Sequence, residues 1–84
     1  MSMKTFYVVQ PFYYGRKGFG TGQAYEAPSV NAATRRAESS VNIRFCGAVA
    51  FSREVDIESG EFGETIVLGK YGRLPEDIEE MMSE

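Results

Sequence analysis

In three stretches of the chain, the character of the side chains alternates from one residue to the next, as it does along a β-strand. In residues 4–14, β-branched and aromatic side chains fill both alternating sets of positions, which predicts a strand that is covered on at least part of both faces. Residues 44–57 carry bulky side chains on one face and small, then polar, side chains on the other. Residues 62–71 alternate again. Because the turn-forming stretch 58–61 separates them from the previous strand, the two strands form a predicted hairpin.

One segment between these strands has helical spacing. Pro28 and Ser29 open it, and the Ser29 hydroxyl is a good N-cap because it can accept a backbone N–H from the first turn. A stripe of small side chains lets a helix approach a sheet closely, while the aromatic strands supply the remaining volume. Small apolar residues recur here at intervals of three or four and form such a stripe: Val30, Ala33, Ala37 and Val41.

Glycine interrupts the alternation after the first strand. Residues 15–22 carry glycine at irregular spacing, which predicts a loop. Residues 23–27 alternate again and predict a short return strand, so this part of the chain is expected to be a hairpin. The cations Arg16 and Lys17 would lie at its tip.

Together these elements predict an α+β fold, a small antiparallel sheet of about four strands in the order β-β-α-β-β, with one helix packed on one face. A single domain is expected over residues 1–73. Residues 74–84 are expected to form an acidic C-terminal tail or a short helix, because Pro75 suits a first helical position and acids follow it. The apolar residues of this segment would share one side of that helix: Leu74, Ile78, Met81 and Met82.

The composition is typical of a small domain without covalent cross-links. The 84 residues include six Phe and five Tyr, and each ring is worth about 2 kcal/mol when it is fully buried. The single cysteine, Cys46, cannot form an internal disulfide, and no stretch resembles a secretory signal. The expected location is therefore a reducing cytoplasm. No apolar run is long enough for a membrane span, so no membrane partner is expected.

The net charge of −3 conceals an uneven distribution. Residues 1–53 hold seven lysines and arginines against two acids, whereas residues 54–84 hold two against ten. A basic surface on the folded protein is one outcome of this asymmetry, and neutralisation of one half by the other is the second. The distribution of charge along the chain does not distinguish these two outcomes.

The segment YYGRKGFGTGQAY, residues 13–25, concentrates glycines, cations and rings. A dinucleotide-binding loop requires Gly-x-Gly-x-x-Gly directly before a helix, and here the glycine spacing differs and the helix begins several residues later. Cations beside exposed rings are, however, a feature of proteins that bind single-stranded nucleic acids. The spacing favours a hairpin tip with solubilising cations, and nucleic-acid binding stays open as the alternative.

Residues for catalysis or metal binding are few. The chain has no histidine, which removes the commonest general base and ordinary zinc sites. Cys46 lies among small and apolar neighbours, so a buried hydrophobe is expected rather than a reactive thiol. Counted from Asp56, Glu61 stands where a calcium loop requires glycine, and Val67 where it requires glutamate. We therefore predict no enzymatic activity, no metal and no cofactor.

Two resemblances to known families depend on short stretches. Residues 7–10 and Phe12 are similar to the first strand of the sporulation-related peptidoglycan-binding repeat. That repeat continues quickly into a helix, whereas a glycine-rich hairpin follows here, so this similarity implies no function. The C-terminal half and the helix look like a family of short uncharacterised bacterial proteins, which implies a bacterial origin and no known activity. The matching stretches are GAVAFSR (47–53), ESGEF (58–62), IVL (66–68) and YGRLPED (71–77).

The leading functional hypothesis is a non-enzymatic module that acts through protein contacts, with itself as a homodimer or with another protein. One helix can cover only one face of a sheet, so rings such as Tyr7 and Tyr13 are expected to stay exposed unless a partner or the C-terminal tail covers them. The alternative is a nucleic-acid-binding module that uses the hairpin cations and the neighbouring tyrosines. The candidate interaction surface comprises Tyr7, Tyr13, Tyr14, Arg16, Lys17, Phe19 and Tyr25.

Overall fold

A computed structural model describes residues 2–78 and residue 80 of the chain. Five antiparallel strands form one sheet and one helix packs on it, so the predicted α+β class is confirmed. The helix, α1 (Val30–Ser40), lies between the third and fourth strands in the chain. The strands are β1 (Met3–Gly15), β2 (Gly18–Thr21), β3 (Tyr25–Ala27), β4 (Gly47–Asp56) and β5 (Phe62–Gly72).

The strand order across the sheet is β2-β1-β4-β5, and β3 pairs with β1 as well. β1 has neighbours on both sides because it is long: residues 7–9 pair with β3, residues 12–15 pair with β2, and residues 3–12 pair with β4. The sheet has five strands rather than about four because residues 18–21, which the glycine pattern placed in a loop, pair with β1.

The glycine-rich segment is thus largely strand, which corrects the predicted loop. Arg16 and Lys17 form the turn, and the positive φ falls on Gly18, at 101°, as in hairpins whose turn is followed by a glycine bulge. Gly20 lies opposite Tyr13, and a Cβ atom on Gly20 would overlap the Tyr13 ring. Glycine here leaves room for an aromatic side chain of the neighbouring strand, a role that glycine spacing along the chain does not reveal.

The helix covers one face of the sheet, the helix face, and small side chains meet there. Ser29 caps α1 as predicted, because its Oγ accepts a hydrogen bond from the Ala32 N–H at 3.1 Å. Ala33 and Ala37 are completely buried. Their buried neighbours are small as well: Val9, Ala27, Ala48 and Ala50. The aromatic side chains of this layer are partly buried tyrosines that pack against the small residues: Tyr7, Tyr25 and Tyr71.

The opposite face of the sheet, the second face, is covered at one end by the chain that follows β5. Gly72 has a φ of 70°, and the Arg73 N–H donates a hydrogen bond to the Cys46 carbonyl at 2.8 Å. These two features turn the chain back over the sheet. Ile78, only 5% exposed, then packs in a cluster with large side chains of the sheet: Phe12, Val49 and Phe51.

The described part of the C-terminal segment therefore belongs to the packed core. Pro75 and Ile78 are buried, and the Ile78 N–H donates to the Pro75 carbonyl at 3.2 Å. Leu74 packs against the same cluster. Met81 and Met82, predicted to share a side with these residues, lie outside the described residues. An acidic composition did not prevent this segment from covering part of the sheet, because Leu74 and Ile78 pack against the cluster on it.

The predicted hairpin of β4 and β5 is confirmed. Its turn is stabilised by the Asp56 carboxylate, which accepts hydrogen bonds from the backbone N–H groups of Glu58 at 2.9 Å and Ser59 at 3.4 Å. Gly60 follows with a φ of 77°, which glycine adopts without a steric penalty. An acidic side chain at this tip thus has a structural role in the turn.

Candidate interaction surface

The part of the second face that the described residues of the C-terminal segment leave open is a groove of about 580 Å³. Phe6 and Val8 of β1 and Phe51 of β4 supply its apolar floor. Glu26 of β3 borders it on one side, and Phe62 at the beginning of β5 borders it on the other. Phe51 is also a member of the cluster around Ile78. The groove therefore begins where the C-terminal cover ends.

Two cations of the second face lie over rings of this groove. The Lys4 Nζ atom is 5.0 Å from the centroid of the Phe6 ring. The Arg53 guanidinium carbon is 5.5 Å from the centroid of Phe51 and 5.2 Å from that of Phe62. Such contacts hold a cation against an aromatic surface by its attraction to the ring face. The groove thus combines an apolar floor with positive charge from Lys4 on β1 and Arg53 on β4.

The Gln10 amide, which also lines the groove, stabilises the border formed by β3. Its Nε2 donates hydrogen bonds to the carbonyls of Pro11 at 3.0 Å and Gly22 at 2.7 Å. The Gly22 N–H in turn donates to the Pro11 carbonyl at 3.0 Å. These bonds attach the connection between β2 and β3 to β1. The polar side chain in the groove therefore supports the position of its wall.

A second group of rings and cations lies at the hairpin of β1 and β2. Tyr14 and Phe19 make an edge-to-face contact with ring centroids 5.0 Å apart. The Arg73 guanidinium carbon is 4.3 Å from the Tyr14 centroid and 5.7 Å from that of Phe19. Arg16 and Lys17 are exposed in the adjacent turn. The structure therefore adds a third cation that sequence analysis had not assigned to this site.

Five of the seven predicted interaction residues belong to this hairpin, and two do not. Tyr7 is half-buried beneath the helix, so the exposure expected for it is not found. Tyr25 packs in the same layer, where its hydroxyl shares a hydrogen bond with the Ser40 Oγ and the Arg36 guanidinium carbon lies 4.7 Å from its ring centroid. Both rings take part in core packing on the helix face.

The groove residues were not predicted as a site. Their alternation along β1 and β4 was visible, and it showed that both faces of β1 were apolar and that β4 had one bulky face and one face with small, then polar, side chains. It did not show which face the helix would cover. A usable signal was the difference in size between the two faces of β4, because alanines at 48 and 50 suit a close helix, whereas Phe51 on the other face does not.

Cys46 lies just before β4 and contacts the chain that follows β5. The Cys46 thiol is half-buried, and its Sγ lies 3.6 Å from the Arg73 carbonyl oxygen. Within residues 2–78 and residue 80, no group of three or more Cys, Asp or Glu side chains is placed to hold a metal ion. In the same part of the chain, α1 is too short and too polar to cross a bilayer, and no other helix qualifies.

Comparison with protein-family models, with curated proteins and with solved structures gives no match to this chain. The resemblance to short bacterial proteins therefore stays a prediction. The two surfaces described above differ in kind. The groove is an apolar depression lined by Glu26 and Arg53, whereas the hairpin group is a cluster of rings and cations beside an exposed turn.

Proposed function

We propose that this protein is a non-enzymatic interaction module that acts through protein contacts and pairs with a second copy of itself. The observation that supports this is the open part of the second face, where Phe6, Val8 and Phe51 line a groove that the helix and the described C-terminal residues leave uncovered. Phe62 at its border is 65% exposed. Contiguous apolar surface of this kind on a small domain usually marks a contact with another molecule.

The composition of the groove suits a protein partner. Aromatic residues and arginine are enriched at the centres of protein interfaces, and the groove contains both in direct contact. Burial of apolar surface there contributes roughly 25 cal/mol for each Å² removed from water. Because Arg53 and Lys4 already lie over rings, their apolar stems and the ring faces can be buried together.

The sheet edges offer a poorer surface for a second copy. Along β5, the pairing with β4 shifts register between Ala50 and Phe51 and again between Arg53 and Val55, and such bulges twist an edge away from regular pairing. On the other side of the sheet, the edge is divided between β2 and β3, of four and three residues. Neither edge presents a long regular ladder, which favours association through the face.

Sedimentation velocity over a wide range of protein concentrations tests the proposal. We expect a reversible monomer–dimer equilibrium in which Phe62→Ser raises the Kd at least ~10-fold, because the exposed ring is lost from the interface. Ile43→Ser is the matched control, since Ile43 is a fully exposed apolar residue away from the groove, and its Kd should equal that of the wild type. A wild-type protein that stays monomeric at the highest concentration contradicts the proposal.

A second candidate function is nucleic-acid binding at the hairpin, which the contact of Arg73 with both Tyr14 and Phe19 favours. Three cations and two rings would then act on one strand of DNA or RNA, the cations on phosphates and the rings on bases. Titration with labelled single-stranded DNA and RNA at two salt concentrations tests this. Binding should strengthen as salt falls and weaken in a variant with Arg16 and Lys17 both changed to Gln.

Arg35→Gln is the control for that titration, because Arg35 is an exposed cation on α1 outside the hairpin. If the loss of charge at the hairpin and on the helix weakens binding equally, the contact is a general electrostatic one and the hairpin is not its site. If neither nucleic acid binds at low salt, this second candidate is excluded.

A further inference from the structure

We infer that two copies pair through the second face about a two-fold axis roughly perpendicular to the strands, so that each end of one copy meets the opposite end of the other. This inference deepens the proposed self-association and rests on it. Two features of the molecule carry it. The two ends of the sheet differ in charge, and the covered and open parts of the second face differ in shape.

One end of the sheet, the basic end, is rich in cations. Gly47 at the start of β4 is level with Phe12 of β1 and with Gly72 of β5, so three segments meet beyond these residues. The segments contain five exposed cations and no acid. They are residues 13–18, 42–46 and 70–73, and their cations are Arg16, Lys17, Arg44, Lys70 and Arg73.

The other end of the sheet, the acidic end, has the opposite excess. The start of β1 pairs there with the end of β4, and the turn between β4 and β5 lies beyond this pairing. Residues 2–6 and 53–64 contain five acids against the two cations Lys4 and Arg53. The acids are Glu54, Asp56, Glu58, Glu61 and Glu64. The long axis of the molecule, 44 Å, therefore joins a basic end to an acidic one.

This separation of charge determines the direction of the axis. A two-fold axis in the interface and roughly perpendicular to the strands exchanges the ends, so the cations of each copy meet the acids of the other. An axis parallel to the strands would place cations over cations and acids over acids. Opposite charges favour the first arrangement. Glu26 pairs with Val8 near the middle of β1, so it belongs to neither end.

The shape of the second face favours the same axis. The described C-terminal residues cover this face around Ile78, and the groove extends from there to the acidic end, where Phe6 and Phe62 lie. A closed two-fold dimer requires a surface that is complementary to itself. When the ends are exchanged, the C-terminal cover of each copy lies over the groove of the other and buries Phe62. A parallel axis would place cover against cover and hold the two grooves apart.

The cover also carries charges that suit this position. Glu76 and Asp77 are exposed on it, and the Lys4 Nζ atom lies over the Phe6 ring in the groove. The exchanged arrangement brings the two acids of one copy towards Lys4 of the other. Along the face, the basic turn is followed by the acidic cover, the lysine and the acidic turn. This alternation opposes unlike charges only when the ends are exchanged.

Charge reversal at the two turns tests the inference, with sedimentation velocity at low salt as the measurement. One variant combines Arg16→Glu with Lys17→Glu, and the other combines Glu58→Lys with Glu61→Lys. Each variant alone should dimerise at least ~10-fold more weakly than the wild type, because like charges then meet twice. These differences should shrink at high salt, which screens the repulsion.

An equimolar mixture of the two variants should form a heterodimer whose Kd lies within ~3-fold of the wild-type value, because each reversed turn meets the reversed turn of the other copy. Arg35→Glu, at an exposed position of α1, is the control for net charge and should leave the Kd unchanged. Circular dichroism should accompany each variant to establish that it is folded.

Distances between spin labels give a second measurement that leaves the charges intact. Ile43→Cys places a label at the basic end and Ser59→Cys places one at the acidic end, each in a Cys46→Ser background. Residue 43 of one copy should be close to residue 59 of the other. Two labels at residue 43 should be separated by a distance comparable with the 44 Å length of the molecule.

The outcomes separate this inference from the proposed function. If the wild type dimerises and Phe62→Ser weakens the dimer, but the mixture of charge variants stays monomeric, the arrangement is overturned and self-association stands. Labels at residue 43 that lie closer to each other than to residue 59 of the other copy have the same meaning. If the wild type is monomeric at every concentration, both the inference and the proposed function fail.

Discussion

The two faces of the sheet are covered by different means. On the helix face, alanines of α1 meet alanines and a valine of the strands, and the contact is fully buried. On the second face, Phe12, Val49 and Phe51 are larger, and a short C-terminal segment covers them around Ile78. Small residues allow a helix to lie close to the sheet along its whole length. Large side chains are instead covered by a short segment that reaches only some of them. In the part of the chain that the structure describes, this difference leaves a groove on the second face.

The largest expected effect compares two rings of the second face on the same strand. Phe12 is 1% exposed beneath the C-terminal segment, whereas Phe6 lies in the open groove and is half-buried. Phe12→Ala should lower the free energy of unfolding by about 3–5 kcal/mol, because it leaves a cavity as well as losing buried surface. Phe6→Ala should lower the free energy of unfolding clearly less, as measured by urea-induced unfolding at low protein concentration. Equal losses would mean that the groove is closed in solution.

The next effect tests the C-terminal cover itself. Ile78→Ala should lower the free energy of unfolding by about 2–4 kcal/mol, because this side chain is buried against the sheet. Its neighbour Asp77 is exposed, so Asp77→Ala is the matched control and should change the free energy by less than about 0.5 kcal/mol. Thermal and urea-induced unfolding measure both. An Ile78→Ala protein as stable as the wild type would show that residues 74–78 are not part of the packed unit.

A smaller effect tests the close helix contact. Ala37 is completely buried where the helix contacts the sheet, so the larger side chain of Ala37→Leu has no space there. This variant should be destabilised by about 1–3 kcal/mol. Arg35→Leu places the same side chain at an exposed position of α1 and should be nearly neutral. The comparison uses the same two unfolding measurements. If both variants are equally stable, the helix does not lie as near to the sheet as the buried alanines indicate.

The smallest effect concerns the start of the helix. Ser29→Ala removes the acceptor of the Ala32 N–H and should cost about 1 kcal/mol. Ser29→Asp keeps an acceptor and should retain most of the stability, since an acid also interacts favourably with the helix N-terminus. Thermal unfolding resolves a difference of this size in a small domain. If Ser29→Ala and Ser29→Asp have the same free energy of unfolding, the side chain of residue 29 does not cap the helix.

The elements that could be predicted are those specified by neighbouring residues. The alternation of β4 and β5 and the Ser29 cap are each readable within a few residues of sequence, and each was found. Of the predicted stripe, Ala33 and Ala37 are buried. Its two ends were wrong, because Val30 is exposed in the first turn and Val41 has extended backbone after the helix ends at Ser40.

The glycine-rich strand β2 could not be predicted. Gly20 in β2 lies beside the Tyr13 ring and Gly22, just after β2, lies beside the Phe45 ring, and these contacts do not appear as a local pattern.

The candidate sites were predicted in part for the same reason. The hairpin cations and rings are close in sequence, so their proximity in space was expected. Arg73 joins Tyr14 and Phe19 across the fold, and no spacing along the chain indicates that contact. The groove combines residues of β1, β3, β4 and β5, and it depends on which face the helix covers. Neither could be derived from one segment at a time.

The sequence by itself determined the class of fold, the types of most of its elements and the excess of aromatic surface over what one helix can cover. These properties follow from side-chain period, capping and composition, which act over a few residues. Only the tertiary structure decided that the helix takes the alanine face, that Ile78 covers part of the other face, and that Arg53 and Glu26 line the remaining groove. Those outcomes depend on how well side chains far apart in the chain fill a shared volume, and that fit exists only when the chain is folded.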